Sequence, residues 1–317
     1  MNRSLAHPPR GAALLLAMVI LTLVATLAAG MVWQQTRAVS IEAAERARTQ
    51  AGWVLAGALD WARVILREDG RNAGADDLGE PWATPLAEAR LSSFLSADRQ
   101  NNADSTLEAF LSGGIEDAQA RYNLLNLFDN TGKPVPAEIE LLGRLCEMAG
   151  VPADTAGRLA EGLRRAGVGI PGAGAEGTAA PLAPHKISQL VWLGLDAGVV
   201  ERLVPFVVLL PRRTPVNANT APREVLVAVL GVDSGTAERL VQQRLRTPFK
   251  SMEALRAALP QGLEIPGGRV AVATSFFFVR GRLRLEERVL EEHSLVERRS
   301  GQVSVLSRER RSLQIGG

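Results

Sequence analysis

The sequence predicts an α+β fold with one long N-terminal helix, a small antiparallel sheet and a large all-helical inserted domain. Changes in the spacing of apolar residues lead to this prediction. An uncharged apolar run near the N-terminus passes into a helical pattern, and helical spacing returns through residues 136–267. An alternating pattern typical of strands then occupies residues 268–317. The helical stretch therefore interrupts the segments that form the sheet.

The apolar run is long enough to cross a membrane once. No charged side chain occurs in residues 12–33, and a helix of that length spans the roughly 30 Å of hydrocarbon in a bilayer. The leader before it carries Arg3 and Arg10, so the positive-inside rule places the leader in the cytoplasm and the rest after Trp33 outside. A cleaved secretory signal is the alternative, but its apolar part is typically only about 7–15 residues long.

The helical pattern continues beyond the apolar run. From Val39 to Leu66, apolar residues recur at spacings of three and four with charged residues between them, and no proline interrupts the pattern. The prediction is one helix from residue 12 to about residue 67. Its first part, residues 12–33, is lipid-soluble, and its second part, residues 34–67, is amphipathic.

These N-terminal features resemble the class III signal of type IV pilins and type II secretion pseudopilins. A short basic leader ends in Gly11, and the apolar run starts at Ala12. The resemblance implies that the prepilin peptidase cleaves the 1–11 leader between Gly11 and Ala12, and that Ala12 is then N-methylated. Most of these proteins have glutamate at the fifth mature position, where this chain has Leu16. Within the family, the missing glutamate is typical of the minor pseudopilin K.

The leucine at this tip-specific fifth mature position has a physical interpretation. In an ordinary subunit the glutamate neutralises the amino terminus of a neighbour, because an unpaired ammonium in hydrocarbon costs several kcal/mol. A subunit at the tip has no subunit above it that needs this carboxylate. Leu16 is therefore compatible with a first-placed subunit, and an ordinary lipid-facing side chain is the alternative interpretation.

Residues 68–135 are expected to form the first part of the α+β domain. The stretch after the long helix is rich in glycine and acidic residues, which favours a solvated turn over a cation site at Asp76, Asp77 and Glu80. Apolar and polar residues alternate from Ala118 to Leu124, which predicts a half-buried strand within residues 115–127. This segment also resembles the strand that precedes the helical insertion in pseudopilin K proteins.

The inserted stretch, residues 136–267, has helical spacing broken by glycine and proline. Cys146 lies in an apolar helical pattern, so a small buried side chain is a better interpretation than a nucleophile or a zinc ligand. The segment 167–181 is rich in glycine, alanine and proline and is expected to be a loop. The predicted helices are residues 137–149, 154–166, 185–193, 197–203, 222–230, 234–245 and 252–258.

One motif in the insertion looks like a helix-hairpin-helix. Thr220 is expected to cap a helix that has Pro222 in its first turn, and Gly231 supplies the hairpin. DNA-binding versions have a second glycine where this chain has Asp233, and a carboxylate there would repel a phosphate. The motif residues are Asn217, Asn219, Thr220, Pro222, Gly231 and Asp233. A stable corner is favoured, and the same Val-Asn-x-Asn-Thr-Ala-Pro signature belongs to pseudopilin K proteins.

The charge balance also argues against nucleic acid as a partner. The chain has 36 Lys and Arg against 34 Asp and Glu, a formal charge of +2, which gives no broad basic field. The alternative function is a membrane-anchored helix-hairpin-helix DNA-binding protein, which a salt-dependent gel shift would reveal. An enzyme is less favoured, because the sequence shows no nucleophile paired with a base, no metal motif and no phosphate loop. No cofactor and no metal are expected.

The C-terminal region, residues 268–317, returns to alternation. Two or three antiparallel strands are predicted within residues 275–311, with a turn at residues 299–302. Together with residues 115–127 they are expected to form the sheet. The helical domain is then an insertion between the two halves of this sheet.

The full-length pattern resembles the general secretion pathway protein K family, the minor pseudopilin K of type II secretion systems. The resemblance implies a pseudopilin fold and a subunit that caps and initiates the pseudopilus of a machine exporting folded proteins across the outer membrane. It also implies minor pseudopilins I and J as partners in a tip complex, with secreted substrates as further candidates. The location implied is the inner membrane of a Gram-negative bacterium, with a single pass and a periplasmic C-terminal domain.

Calcium is not expected to follow from this resemblance. Family members can have an acidic cluster in the insertion that holds the ion. At the matching place this chain reads Leu163-Arg164-Arg165-Ala166, and only Glu176 of the acidic set remains. Calcium takes six to eight oxygen ligands, so a tight site is not predicted there.

Overall fold

In the computed structural model, the described residues are 10–72, 74–91, 109–168, 181–285 and 288–314. The chain divides into two compact units, residues 1–56 and 57–317, and each is considered by itself. The α+β fold class predicted from the sequence is confirmed.

Helix α1 runs as one element over Arg10–Asp69, which confirms the unbroken helix predicted from the spacing. In the first unit the apolar side chains of residues 13–33 are exposed, and Leu16 is 62% exposed. Among the described residues, this is the one helix that is long and apolar enough to cross a membrane.

Five antiparallel strands form the main sheet in the order β1-β2-β7-β8-β9. The last three are consecutive in the chain and confirm the predicted C-terminal strands. The strand bounds are Leu86–Arg90 for β1, Ala109–Asp117 for β2, Phe276–Leu285 for β7, Arg288–Arg299 for β8 and Gln302–Gln314 for β9.

The strand predicted over residues 115–127 is wrong beyond Asp117. The chain there forms a 3-10 turn over Ala118–Ala120, the two-residue strand β3 at Tyr122–Asn123 and a second 3-10 turn over Leu124–Leu127. The Asp117 side chain accepts from the backbone N–H of Gln119 at 2.7 Å, and that of Asn123 accepts from Leu125 at 3.1 Å. These local side-chain bonds turn the chain out of the sheet.

In the second unit, the end of α1 packs on one face of the sheet. Leu59, Ala62 and Leu66 are buried there, at the spacing of three and four that the amphipathic pattern predicts. Trp82 lies against Phe277 edge to face, with ring centroids 5.3 Å apart. The other buried members of this cluster are Val279, Val296 and Val303.

The excursion between β2 and β7, residues 118–275, forms the inserted module, and the predicted 136–267 domain lies within it. Cys146 is fully buried in its core, as predicted, and burial raises the pKa of the thiol to about 11. Residues 187–193 form a 3-10 helix where an α-helix was predicted. The α-helices are Pro136–Met148 (α2), Asp154–Arg165 (α3), Ala197–Leu203 (α4), Arg223–Leu230 (α5), Ser234–Arg246 (α6) and Met252–Ala258 (α7).

Two short parallel strand pairs within the module connect segments that are distant in the sequence. Strand β3 pairs with β4 at Val207–Val208, and β5 at Val216–Asn217 pairs with β6 at Val270–Ala271. The module leaves and re-enters the main sheet at neighbouring points, because Asp117 at the end of β2 is the cross-strand partner of Phe277 in β7. The main sheet is therefore continuous at the point where the module is inserted.

Candidate functional site

The hairpin motif begins with an asparagine that is completely buried. The side-chain amide of Asn217 donates to Oδ2 of Asp117 at 2.9 Å and to the backbone oxygen of Asp76 at 3.0 Å. Its oxygen accepts from the backbone N–H of Asn219 at 3.0 Å. Asn217 therefore ties the module to the end of β2 and to the loop after α1.

The hydroxyl of Thr220 adds a second bond to the same carboxylate, donating to Oδ2 of Asp117 at 2.6 Å. The prediction that Thr220 caps the next helix is wrong, because its hydroxyl is used by Asp117 and the residue before α5 is Pro222. Asn219 pairs instead with the backbone of Phe249, donating at 3.0 Å and accepting at 2.9 Å.

The carboxylate of Asp117 is the centre of this network. Burial raises its pKa above the usual range, and the hydrogen bonds from Thr220, Thr274 and Asn217 act in the opposite direction. A buried carboxylate is stabilised only when such donors surround it. We call Asp76, Asp117, Asn217, Thr220 and Arg298 the polar clamp.

The acidic loop after α1 is also part of the clamp, and the prediction of a solvated turn is wrong. Asp76 and Asp77 are 3% and 4% exposed. Asp76 accepts from the backbone N–H of Thr274 at 2.7 Å, and Asp77 binds the ammonium of Lys250 at 2.9 Å. Burial raises the pKa of Asp76, against the hydrogen bond from Thr274 and the attraction of Arg298.

Arg298 supplies the cation of this acidic cluster. Its guanidinium pairs with both Asp69 and Asp76 and lies 4.9 Å from the ring centroid of Phe277. Carboxylate oxygens of Asp69, Asp76 and Glu80 lie within 4.8 Å of one another, close enough together to share one cation. Burial lowers the pKa of Arg298, but the charges and hydrogen bonds of Asp76 and Asp69 together outweigh this effect and raise it, so the guanidinium stays charged.

The hairpin between α5 and α6 has the predicted turn. Gly231 adopts a left-handed conformation with φ of 67°, which ends α5. Asp233 is the N-cap of α6 and accepts from the backbone N–H of Thr236 at 3.0 Å and from its hydroxyl at 2.8 Å. The hydrogen bond from the Thr236 side chain lowers the pKa of Asp233, so a carboxylate occupies the N–H groups that would bind a phosphate.

Other predicted residues lie far from the clamp in the sequence. Gly11 and Ala12 are within helix α1, and their side chains are outside the described residues. Glu176 also lies outside the described residues. Arg164, in the segment matched to the calcium region, pairs with Glu161 at 2.9 Å.

Sequence reasoning missed the partners of the motif. The sequence does not identify Asp76, Asp117 and Arg298 as members of one site, because the residues they contact are about 100 to 222 positions away. The remaining signal was a run of polar residues, Asn217, Asn219 and Thr220, within an otherwise apolar stretch. Such residues, when buried, require partners.

Family comparisons match both halves of the inserted module. The family model of type II secretion system protein K matches residues 216–274, and a model of the first part of that protein matches residues 120–212. The first segment begins at β5 and therefore contains the asparagine motif, and the second contains β3 and helices α2 to α4.

Curated relatives cover nearly the whole chain. The type II secretion system protein K of Pseudomonas aeruginosa is 29% identical, over 94% of this chain and 92% of its own length. That of Pectobacterium carotovorum is 28% identical, over 95% and 96% respectively. The GspK-GspI-GspJ complex from the enterotoxigenic Escherichia coli type 2 secretion system contains a chain with the same fold, with a TM-score of 0.62, 23% identity and coverage of 84% and 98%. The chain belongs to the type II secretion system protein K family and is a minor pseudopilin.

Proposed function

We propose that this minor pseudopilin stands at the tip of the pseudopilus and starts its assembly, in a machine that exports folded proteins across the outer membrane. The observation that carries the proposal is the inserted module, which leaves the sheet at Asp117 and returns at Phe276. A module of this size would block the stacking of another subunit on the side that it occupies. The role is structural, and the buried thiol of Cys146, with its raised pKa, is unsuited to nucleophilic chemistry.

The polar clamp supports this steric argument. A module joined by a flexible linker could swing aside and allow stacking, whereas this module is bonded to the sheet through buried groups. Asn217 and Thr220 both bind the buried carboxylate of Asp117, and at the surface Arg212 also pairs with Glu297 of β8 at 2.8 Å. Fully satisfied buried polar networks favour a single arrangement of the parts that they join.

Leu16 is a second argument for the first position in the fibre. The amino terminus of a subunit placed above would meet an apolar side chain and would leave an ammonium unpaired in hydrocarbon. A subunit with no neighbour above has no such penalty. We also propose that the prepilin peptidase cleaves between Gly11 and Ala12, which makes Leu16 the fifth mature residue.

We propose minor pseudopilins I and J as partners, since the related GspK is part of a GspK-GspI-GspJ complex. In the second unit, Gly57, Trp61 and Val64 form an exposed stripe on α1 at spacings of four and three. Trp61 is 66% exposed, and a Cβ atom at Gly57 would meet nothing within 4 Å. A small residue beside a large aromatic side chain provides a surface against which a second helix packs closely.

We further propose a location in the inner membrane with one pass, with residues after Trp33 in the periplasm. The apolar helix and the basic leader support this orientation. Secreted substrates are candidate partners of the module, which would face away from the fibre.

A deletion variant tests the steric argument. Because Asp117 and Phe277 are cross-strand partners, a short linker can replace residues 118–274. Phe276 packs with Val208 and Leu210, which the deletion removes, so it should be changed to serine to avoid exposing an aromatic side chain on the sheet. We expect this variant to be incorporated below the tip, as seen by crosslinking a tagged subunit to the major pseudopilin. Continued tip-only placement would count against the steric argument.

A charge variant tests the argument from Leu16. With Leu16→Glu in the full chain, we expect more copies of the subunit per fibre. The new carboxylate can pair with the amino terminus of a subunit placed above it. Leu15→Glu is the matched control, since it carries the same charge on another face of the helix. Identical copy numbers for the wild type and both variants would leave Leu16 as an ordinary lipid-facing residue.

A further inference from the structure

A pocket of about 250 Å³, with charged side chains in its lining, lies in the inserted module, apart from the polar clamp. It is lined by the loops at residues 126–130, 213–215 and 266–269, and by Glu138 in the first turn of α2. The first of these loops lies in the segment matched by one family model, and the third in the segment matched by the other. The pocket is smaller than the roughly 300–1,000 Å³ typical of drug-sized ligands, so it is suited to a small group.

The carboxylate in the lining, that of Glu138, already accepts three hydrogen bonds. Nε and Nη2 of Arg269 donate to one oxygen of Glu138 at 3.1 and 2.6 Å, and the hydroxyl of Tyr122 donates to the other oxygen at 2.9 Å. Burial, followed by the charge of Glu138, raises the pKa of Tyr122 well above 10, so the phenol remains a donor. Glu138 therefore neutralises Arg269 and does not compensate a second cation.

The second cation in the lining is Arg213. Its Nη1 donates to the side-chain oxygen of Asn130 at 3.1 Å, and both residues are exposed. A guanidinium has five N–H donors, and the bonds made among the described residues use one of them at Arg213 and two at Arg269. The neighbouring Arg212 instead pairs with Glu297 and lies 4.8 Å from the ring centroid of Phe276.

We propose that this pocket binds an oxyanion, and that Arg213 is the residue that recognises it. The lining has two guanidinium groups and one carboxylate, so it carries an excess positive charge, and a planar fork of N–H donors matches the geometry of carboxylate and phosphate. The carboxylate of a peptide and a free inorganic phosphate share this chemistry. Oxyanion binding does not require the subunit to stand at the tip, so this proposal and the proposed tip placement can fail separately.

The test is a titration of the full chain in detergent at constant ionic strength. The probes are N-acetylglycine, which presents the terminal carboxylate of a peptide, and inorganic phosphate. The readout is the NMR signal of the arginine Nε–H groups in arginine-labelled protein. The variants are Arg213→Gln and, as the matched control, Arg212→Gln, which removes an adjacent arginine that does not line the pocket.

We expect saturable shifts in the wild type and in Arg212→Gln. In Arg213→Gln the dissociation constant should rise by roughly tenfold or more, as for the loss of a charge-assisted hydrogen bond. Binding of N-acetylglycine alone would support a peptide carboxylate as the ligand, and binding of phosphate alone would support a free inorganic anion. No saturable shift with either probe, or equal affinity in Arg213→Gln, would overturn the proposal.

Discussion

Replacing Asn217 with alanine should weaken the joint between the inserted module and the sheet. The buried amide makes three hydrogen bonds, at 2.9 Å to Asp117, 3.0 Å to the oxygen of Asp76 and 3.0 Å from Asn219. Each such bond contributes about 0.5–1.5 kcal/mol, and a buried group left without a partner costs about 1–3 kcal/mol. Asp117 keeps its bonds from Thr220 and Gln119. The backbone oxygen of Asp76 and the backbone N–H of Asn219 each lose the bond to Asn217. The expected loss in the free energy of unfolding is about 3–5 kcal/mol.

The assay is urea unfolding of the full chain in detergent, followed by far-UV circular dichroism. Asn130→Ala is the matched control, because Asn130 is exposed and bonds only to Arg213 among the described residues. That control should change the free energy by less than about 0.5 kcal/mol. Asn217→Ala should lower the urea midpoint by far more.

Exchanging the amide and the carboxylate between Asn217 and Asp117 tests the hydrogen bond that Asn217 donates to Asp117. Asn217→Asp brings two carboxylates to the 2.9 Å contact with Asp117 and should be at least as destabilising as alanine. Adding Asp117→Asn restores one donor and one acceptor at that contact and should recover part of the loss, as a double-mutant cycle would show. An alanine variant as stable as the control, or a double variant whose effects simply add, would refute the reasoning.

Three further predictions concern the same molecule. Arg298→Met leaves Asp69 and Asp76 without their cation and should cost about 3–5 kcal/mol in the same urea assay, and a loss below about 1 kcal/mol would contradict the role given to this pair. Trp61→Ala should leave stability within about 0.5 kcal/mol, since the side chain is 66% exposed, yet reduce co-purification with pseudopilins I and J. Unchanged recovery of both partners would remove the stripe from the interface. Burial raises the pKa of Asp117, so its contribution to stability is fully present below the unfolded pKa near 3.8 and is lost as the pH rises through the folded pKa. The urea midpoint of Asp117→Asn should therefore depend less on pH than that of the wild type, and equal slopes would show that Asp117 does not titrate in this range.

The sequence predicts the helices well because their signals are local. The bounds of α4 at residues 197–203 and α7 at residues 252–258 agree with the predicted ones, and α1 extends only about two residues further at each end. In each case the apolar spacing and the flanking glycine, proline or charged residues act within a few positions. Gly231 belongs to the same class, since ending a helix in a left-handed conformation is a local property of glycine.

The errors arise where a distant partner overrides a local preference. Thr220 is a reasonable cap by its position, but Asp117, 103 residues earlier, takes its hydroxyl. Asp76 belongs to a polar stretch that reads as solvated, but Arg298 lies 222 residues later and buries it. The alternation after Asp117 suggests a strand, but the side chains of Asp117 and Asn123 accept hydrogen bonds from the backbone two residues later and turn the chain into the module. None of these pairings has a signature in a single sequence.

Cryo-electron tomography of assembled pseudopili would show where this subunit stands in the fibre. A bulky tag fused within the module should be counted per fibre while the chain replaces the native subunit. The account predicts one tag on each fibre, at one end. Tags distributed along the length would contradict it, because a subunit carrying this module would then be able to stack.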